Sequence, residues 1–268
     1  MTDRLDTRFH ALHASGLLRL ANAWDAGSAR LAQAAGARAV ATSSAAVAWA
    51  HAWPDGDALP HELLLSTVRA IAGAVALPVS VDIEGGYSDD PMRIGELVSA
   101  VVGAGAVGIN IEDGSAEPAL LCAKIAAARE AARRHDVDLF INARTDVYLR
   151  GLAPAGERVA EVVRREALYR AAGASGLFVP GVVDAADIAG IVAGVKLPLN
   201  VMARPAVDPA GLEALGVRRY SAGSSISEAV NGLALAMMRE FVATGRVDTL
   251  GVEPAAYPTL NAIMARPK

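Results

Sequence analysis

The sequence predicts an α/β chain folded as a (β/α)8 TIM-type barrel with an extra C-terminal helix. Three observations predict it. Short apolar runs alternate with amphipathic helical patterns, the alternation repeats eight times within 268 residues without a long linker or low-complexity tract, and the first run leads into no G-x-G-x-x-G loop. That loop is what an open doubly wound sheet would more often show after its first strand; here the run ends in Asn22-Ala23-Trp24-Asp25.

The strands read in order as LLRLANAW from Leu17, ARAVATSS from Ala37, LPVSVDIEGG from Leu77 and VGINIEDG from Val107. LFINARTD from Leu139, GLFVPG from Gly176, LPLNVMARP from Leu197 and VRRYSAGSS from Val217 complete the set. Between them lie amphipathic patterns such as ELLLSTVRAIAGAV from Glu62, RIGELVSAVVGAGA from Arg93 and GERVAEVVRREALYRAAGA from Gly156. Several stop at a glycine just before the next strand, as at Gly36, Gly105 and Gly173, where a left-handed residue ends a helix. Ser224 to Gly245 is one further helical pattern, and Arg246 to Lys268, with its three prolines, reads as a tail on a single 1–268 domain. An extension of this kind can pack on a neighbouring subunit, or close its own barrel.

Hydrophobic residues make up 53% of the chain and charged residues 20%, which excludes a disordered or fibrous protein. With 25 Lys+Arg against 29 Asp+Glu the net charge is -4, so there is no basic footprint for nucleic acid and a small-molecule partner is expected. The lone Cys122 cannot form an internal disulfide and fits a reducing compartment. Neither a signal peptide nor an apolar stretch of about 18 unbroken residues is apparent. No membrane partner is expected, and the expected location is cytoplasmic.

In such a barrel the chemistry gathers at the carboxyl ends of the strands, and period-2 alternation decides which residues face inward. Asp82 and Glu84 then share a face on the third strand, Asn110 and Glu112 on the fourth, Asn142 and Arg144 on the fifth, and Asn200, Met202 and Arg204 on the seventh. Carboxylates on neighbouring strand ends repel in a dry pocket unless a cation compensates, and carboxylate oxygens suit Mg²⁺ or Mn²⁺. Asp82 is the first choice of metal ligand, with Glu84 and Glu112 behind it; Glu84 or Glu112 could instead only pair with Arg144. The Arg144 guanidinium fork can grip a substrate carboxylate or hold Glu112. Asp146 reads as a cap on the following segment. Thr42-Ser43-Ser44-Ala45 ends the second strand with small residues whose N–H groups could bind an oxyanion, or form a simple turn. Asp55, in W-P-D-G-D, lies on a loop able to lean over the pocket, and Cys122 reads as a packed thiol within a helix.

Taken together, these residues resemble the isocitrate lyase and phosphoenolpyruvate mutase superfamily from Asn22 to about Met238. N-A-W-D-A-G-S-A-R, containing Trp24, is similar to that family's opening strand-to-helix segment, and V-A-T-S-S-A, with Ser43, Ser44 and Ala45, to its oxyanion cradle. V-D-I-E-G-G-Y resembles the D-x-D-x-G-Y metal motif, with Asp82 and Glu84 on its acidic positions. G-I-N-I-E-D places Glu112 at the metal-network glutamate, I-N-A-R-T-D places Arg144 at the active-site arginine, and Asp55 matches the aspartate after the second strand. The resemblance implies Mg²⁺, 2-oxo acid chemistry through an enolate, and dimers or tetramers that often exchange a helix. Asn200 enters as a further substrate-binding candidate, and the catalytic candidates are Arg144, Glu112 and Asp55.

Departures divide the possibilities. The K-[KR]-C-G loop of the lyase branch is absent, since the chain reads E-D-G-S-A-E-P-A-L-L-C-A-K-I, and the lysine and asparagine of the phosphonate branch's gating loop are missing as well. Pro180 stands where the phosphonate branch tends to carry histidine. The leading expectation is a Mg²⁺-dependent lyase cleaving a C–C bond of a small 2-oxo or 2-hydroxy di- or tricarboxylate. A phosphonopyruvate mutase or hydrolase and a non-catalytic carboxylate-binding barrel are the alternatives.

Overall fold

The computed structural model describes residues 4–247 and 251–265. Nine parallel strands form one sheet in the order β1-β9-β8-β7-β6-β5-β4-β3-β2. β1 (Leu18–Leu20) and β2 (Asn22–Ala23) are halves of one stave broken at Ala21. β1 pairs with β9 (Arg219–Ser221) and β2 with β3 (Val40–Thr42), which closes the ring as eight staves. The others are β4 (Val79–Asp82), β5 (Gly108–Glu112), β6 (Phe140–Arg144), β7 (Gly176–Val179) and β8 (Leu199–Met202). All eight runs read from the sequence are staves, and they are shorter than their apolar runs because the flanking polar residues enter loops.

Alternation sorts each stave into two faces. Val79, Val81, Ile109, Ile111, Ile141, Leu177, Val179 and Val201 point outward, where they are buried under the helices. Each such aliphatic side chain stabilises the fold by roughly 1.5 to 3 kcal/mol, so the outer layer carries most of the hydrophobic stabilisation. Around the barrel run α2 (Ala26–Ala34), α4 (His61–Ala74), α5 (Pro91–Gly103), α6 (Pro118–Arg133), α7 (Arg158–Ala172), α8 (Ala185–Gly194) and α9 (Pro209–Leu215). Their ends are set locally. Asp25 caps α2 by accepting from the Ser28 N–H at 2.6 Å, and Gly173 closes α7 at φ +108°, a left-handed conformation that costs glycine little.

The inward face is polar from the middle of the barrel upward and apolar only at its base. There α1 (Leu5–Ala11) plugs the amino-terminal end with Phe9, which packs edge-on against Phe140 at 5.3 Å. The approach requires glycine at 108, because a Cβ there would lie 2.7 Å from the Phe9 ring. Above the plug Asn142 donates to Asn110 Oδ1 at 2.9 Å and Arg219 to the same oxygen at 3.1 Å. Burial lowers the Arg219 guanidinium to about 9, opposed by the attraction of Asp82.

After β9 the chain forms α10 (Ser225–Thr244), the predicted extra helix, and α11 (Tyr257–Met264). α10 buries only Ser227, while Val230, Leu235, Met238, Phe241 and Val242 are each half exposed or more. α11 returns to α2, where Arg30 donates to the carbonyls of Ile263 and Ala265, both at 2.7 Å. Parts of the predicted 246–268 tail lie outside the described residues. No described helix is long and apolar enough to cross a membrane.

His13 sits beside the plug, stacked on Phe140 at 3.9 Å and donating through Nδ1 to the Phe9 carbonyl at 2.8 Å. Burial pushes its pKa down from 6.5 to about 3, assisted by the charge of Arg219, so the folded ring stays neutral while the unfolded chain takes up a proton. Stability held above pH 6.5 is therefore lost as pH falls toward 3, at up to about 1.4 kcal/mol per pH unit. Urea titrations of wild type and His13→Leu between pH 7 and 5 should show this slope only in the wild type. Parallel slopes would remove His13 as the cause.

Candidate active site

A cavity of about 200 Å³ opens at the carboxyl ends of the staves, lined among others by Ser43, Ser44, Ala45, Asp55, Asp82 and Arg144. This is the mouth the sequence predicts. A larger hollow of about 530 Å³ lies at the other end of the barrel, but its cations are already matched, Arg4 by Asp6 at 2.8 Å and Arg129 by Asp138 at 3.4 Å. The smaller cavity collects residues from all eight staves or the loops after them, at the end where parallel barrels place chemistry.

Asp82 is the last residue of β4. Its N–H donates to Thr42 Oγ1 at 2.8 Å, which ties the ends of β3 and β4 together. Burial raises the Asp82 carboxyl above the ordinary range, against the attraction of Arg144 and hydrogen bonds from the Glu84 and Ser44 N–H groups. Ser43 ends the extended run and Ser44 begins α3 (Ser44–Ala50), so the segment is a helix entrance whose first N–H groups face the cavity, that of Ser44 already donating to Asp82. Their small side chains leave that backbone accessible.

Glu84 is placed differently from the expectation. β4 ends at Asp82, and Glu84 adopts φ +52°, which breaks the alternation that would have put it beside Asp82. Its carboxylate accepts from the Gly56 N–H at 3.0 Å and from the Asp57 N–H, and it does not line the cavity. Its role is to hold the loop that carries Asp55. Asp57 Oδ1 in turn accepts from Tyr87 N–H at 3.2 Å. Of the five non-glycine residues at positive φ among the described residues, Ala52, Asp57, Glu84 and Tyr87 lie on these two loops, so backbone strain concentrates at the cavity rim. Lys124 of α6, buried, donates to the Gly85 carbonyl at 2.8 Å and to Asp89 at 2.9 Å, fixing the same rim from outside. Cys122 is half-buried against the core on that helix, its thiol raised by burial.

Arg144 ends β6 and touches two carboxylates. Glu112 lies 2.5 Å from Nη1, and Asp146 accepts from Nε at 2.7 Å and from Nη2 at 3.0 Å. The expected capping role of Asp146 gives way to this clamp, because its fully buried carboxylate also accepts from Arg150 at 2.9 Å. Behind it, Asp113 accepts from the Asp146 N–H at 2.9 Å, from Arg165 at 2.7 Å and from the Tyr169 hydroxyl at 2.6 Å. Burial raises the Glu112 carboxyl to about 8, against the pull of Arg144 and reinforced by Asp82, Asp146 and Glu84.

Glu112, Trp24 and Asn200 are not among the lining residues. Trp24 packs on the outer core while its N–H donates to Ser28 Oγ at 2.9 Å. Asn200 is fully buried one layer below the floor, where Ser221 donates to its Oδ1 at 3.3 Å. Sequence reasoning gave no role to Asn22, which donates to the Thr42 carbonyl at 2.7 Å and accepts from Gly223 N–H at 3.0 Å across the closing stave. Arg204, placed on the inward face by the sequence but given no role, lines the cavity beyond β8. Both sit at strand ends, which is the signal that could have found them.

No cluster of three His, Cys, Asp or Glu positioned to cage a metal occurs among the described residues. The predicted trio is therefore dispersed: Asp82 stands in the cavity, Glu112 against Arg144, and Glu84 under the loop. One buried, desolvated carboxylate with Asp55 beside it suits an ion that keeps several waters and takes only one or two protein ligands.

The fold and cavity define a parallel-barrel site at the carboxyl ends of the strands. The sequence pattern of phosphoenolpyruvate phosphomutase matches residues 9–243, and the chain belongs to that family within the isocitrate lyase and phosphoenolpyruvate mutase superfamily of enzymes. An uncharacterized protein of Mycobacterium tuberculosis (strain H37Rv) is 39% identical over 225 residues, 81% of each chain. The oxaloacetate decarboxylase of Rhodopseudomonas palustris (strain TIE-1) is 33% identical over 165 residues, covering 57% of this chain and 54% of the relative. A candidate phosphonomutase from Burkholderia cenocepacia J2315 superposes with a TM-score of 0.83 at 39% identity, over 88% of this chain and all of the other. A phosphonopyruvate hydrolase solved with oxalate and Mg²⁺ shares the fold at 24% identity, with a TM-score of 0.84 over 97% and 95% of the two chains.

Asp146→Asn tests the clamp. Loss of a buried charge that serves two guanidinium groups is expected to cost about 3 kcal/mol in urea unfolding. A cost below about 1 kcal/mol would show that Arg144 is held without it.

Proposed function

We propose that the chain is a Mg²⁺-dependent (or Mn²⁺-dependent) lyase that breaks a C–C bond of a small 2-oxo or 2-hydroxy di- or tricarboxylate through an enolpyruvate-type intermediate. The observation that carries this reading is the meeting of a buried carboxylate, Asp82, with the helix entrance at Ser44 and Ala45 inside one small cavity. The 33% identity to an oxaloacetate decarboxylase supports it.

Asp82 would hold the cation, with Asp55 and Glu112 behind it. The bound ion would supply Lewis-acid stabilisation of negative charge on the substrate's 2-oxo oxygen. The N–H groups of Ser43, Ser44 and Ala45 receive the same developing charge, as preorganised donors whose orientation α3 has already fixed. Arg144, immobilised by Asp146, orients the 2-oxo acid end and keeps Glu112 from turning into the cavity. Glu84 keeps the Asp55 loop over the opening, which limits water access. In a decarboxylation the electron pair of the broken C–C bond then passes to the 2-oxo oxygen as carbon dioxide departs.

The likeness to a candidate phosphonomutase favours a second reading, action on a phosphonate. Pro180 in the cavity wall offers neither a proton nor a hydrogen bond to a transferring phosphoryl group. Phosphorus NMR with phosphonopyruvate would distinguish the two.

The deciding measurement is the thermal midpoint with Mg²⁺, with oxalate and with both, in wild type and in Asp82→Ala. At a hundredfold excess over Kd the pair should raise the wild-type midpoint by about 5 °C or more, with neither ligand sufficient alone and no shift in the variant. Because the Glu112 carboxyl is raised to about 8 and Asp82 is raised as well, protons compete with the cation, so the shift should grow as pH rises from 6 to 8. No shift at any pH would overturn the enzyme reading. Pyruvate release from oxaloacetate, 2-methylisocitrate or substituted malates then names the substrate.

The exposed apolar side of α10 supports assembly as a homodimer or homotetramer in which this helix is covered by a neighbouring copy. Met238→Glu with Phe241→Glu should convert the assembly to monomer in sedimentation velocity. A monomeric wild type would refute it.

A further inference from the structure

Arg204 stands just beyond β8, lines the cavity, and has no hydrogen-bond or carboxylate partner for its guanidinium among the described residues. Arg144, the other lining cation, is already matched by Glu112 and Asp146. The cavity's remaining lining charges are the carboxylates Asp55 and Asp82. An anionic ligand therefore meets one uncompensated protein cation, and it is Arg204.

Topology fixes where that cation is. Counting the broken β1/β2 stave as first, β4 is third and β8 seventh, so in a ring of eight the Arg204 stave faces the Asp82 stave across the opening. On one side the wall between them holds Phe178, Pro180 and Met202 next to Arg204, and then Arg144, whose charge is already matched by Glu112 and Asp146. The volume of about 200 Å³ lies below the roughly 300 to 1,000 Å³ of drug-sized sites, so one small molecule reaches both sides.

We infer that Arg204 is a specificity-determining residue that receives the distal carboxylate of a small dicarboxylate whose 2-oxo or 2-hydroxy acid end lies at Asp82 and the Ser44 N–H. The inference rests on the lyase reading above and narrows its substrate class to acids with a carboxylate at both ends. A guanidinium is suited to this work, because its planar fork reads a carboxylate bidentately and discriminates against a methyl group of similar size.

The test is calorimetric titration of the Mg²⁺-loaded protein with three probes: oxalate, which is too short to span the cavity, malate, and 2-hydroxybutyrate, which replaces the distal carboxylate of malate by methyl. Wild type should bind malate at least about tenfold more tightly than 2-hydroxybutyrate. Arg204→Gln should abolish that preference while holding oxalate affinity within about twofold, and Arg204→Lys should restore part of it. Absence of a wild-type preference, or equal weakening of oxalate and malate in Arg204→Gln, would overturn the inference and leave the lyase reading standing. Failure of oxalate to bind the wild type would overturn both.

Discussion

Arg144 held between Glu112 and Asp146 is the interaction on which the site depends. A guanidinium buried at a strand end is costly unless its donors are satisfied, and here Nε and Nη2 go to one carboxylate while Nη1 goes to another. The clamp then needs its own support. Asp146 is oriented by the Asp113 carboxylate, and Asp113 by Arg165 and Tyr169 of α7, so an outer helix is coupled to the cavity through three layers of charge-assisted bonds. The ends of β5 and β6, which carry Glu112 and Arg144, are thereby tied to each other and to α7.

Most of this architecture was legible because a parallel barrel repeats one unit and alternation is strict within a strand. Asp82, Asn110, Asn142, Arg144 and Asn200 all point inward as period 2 requires. Alternation fails where the strand stops. Glu84 lies two residues beyond Asp82, but two left-handed residues on that loop, Glu84 and Tyr87, turn its carboxylate toward Gly56 and Asp57. Nothing in V-D-I-E-G-G-Y marks that reversal, since a non-glycine residue at positive φ is imposed by tertiary contacts. Asn200 illustrates a different limit: facing inward does not fix height along the barrel axis, and Asn200 lies one layer too deep. The partners of Asp146 were hidden for a third reason. Its backing comes from Asp113, whose own partners Arg165 and Tyr169 lie on a separate helix, and no local pattern links those positions.

The rim shows how strain and charge are combined. Glu84, Asp57 and Tyr87 hold one another across two loops, with Lys124 binding the Gly85 carbonyl from behind. Each positive-φ residue costs of order 1 kcal/mol, and such conformations persist only when neighbours over-determine them. The return is a loop carrying Asp55 that stands over the opening without a long lid. The residue that resembles a metal ligand in sequence thus accepts from the backbone of the Asp55 loop and holds it in place.

Charge balance then constrains what can enter. Asp55 and Asp82 make one side of the cavity acidic, and the raised pKa values of Asp82 and Glu112 register the cost of burying carboxyl groups there. The divalent ion of the proposed function would remove that cost at one wall only. Across the barrel, where β8 ends, Arg204 lines the cavity and pairs with none of those carboxylates. A ligand with a single charged end would satisfy the Asp82 wall through the proposed cation and leave the guanidinium unpaired at the other. A ligand charged at both ends satisfies both walls together, and a cavity of about 200 Å³ limits the carbon chain between those ends to a short one.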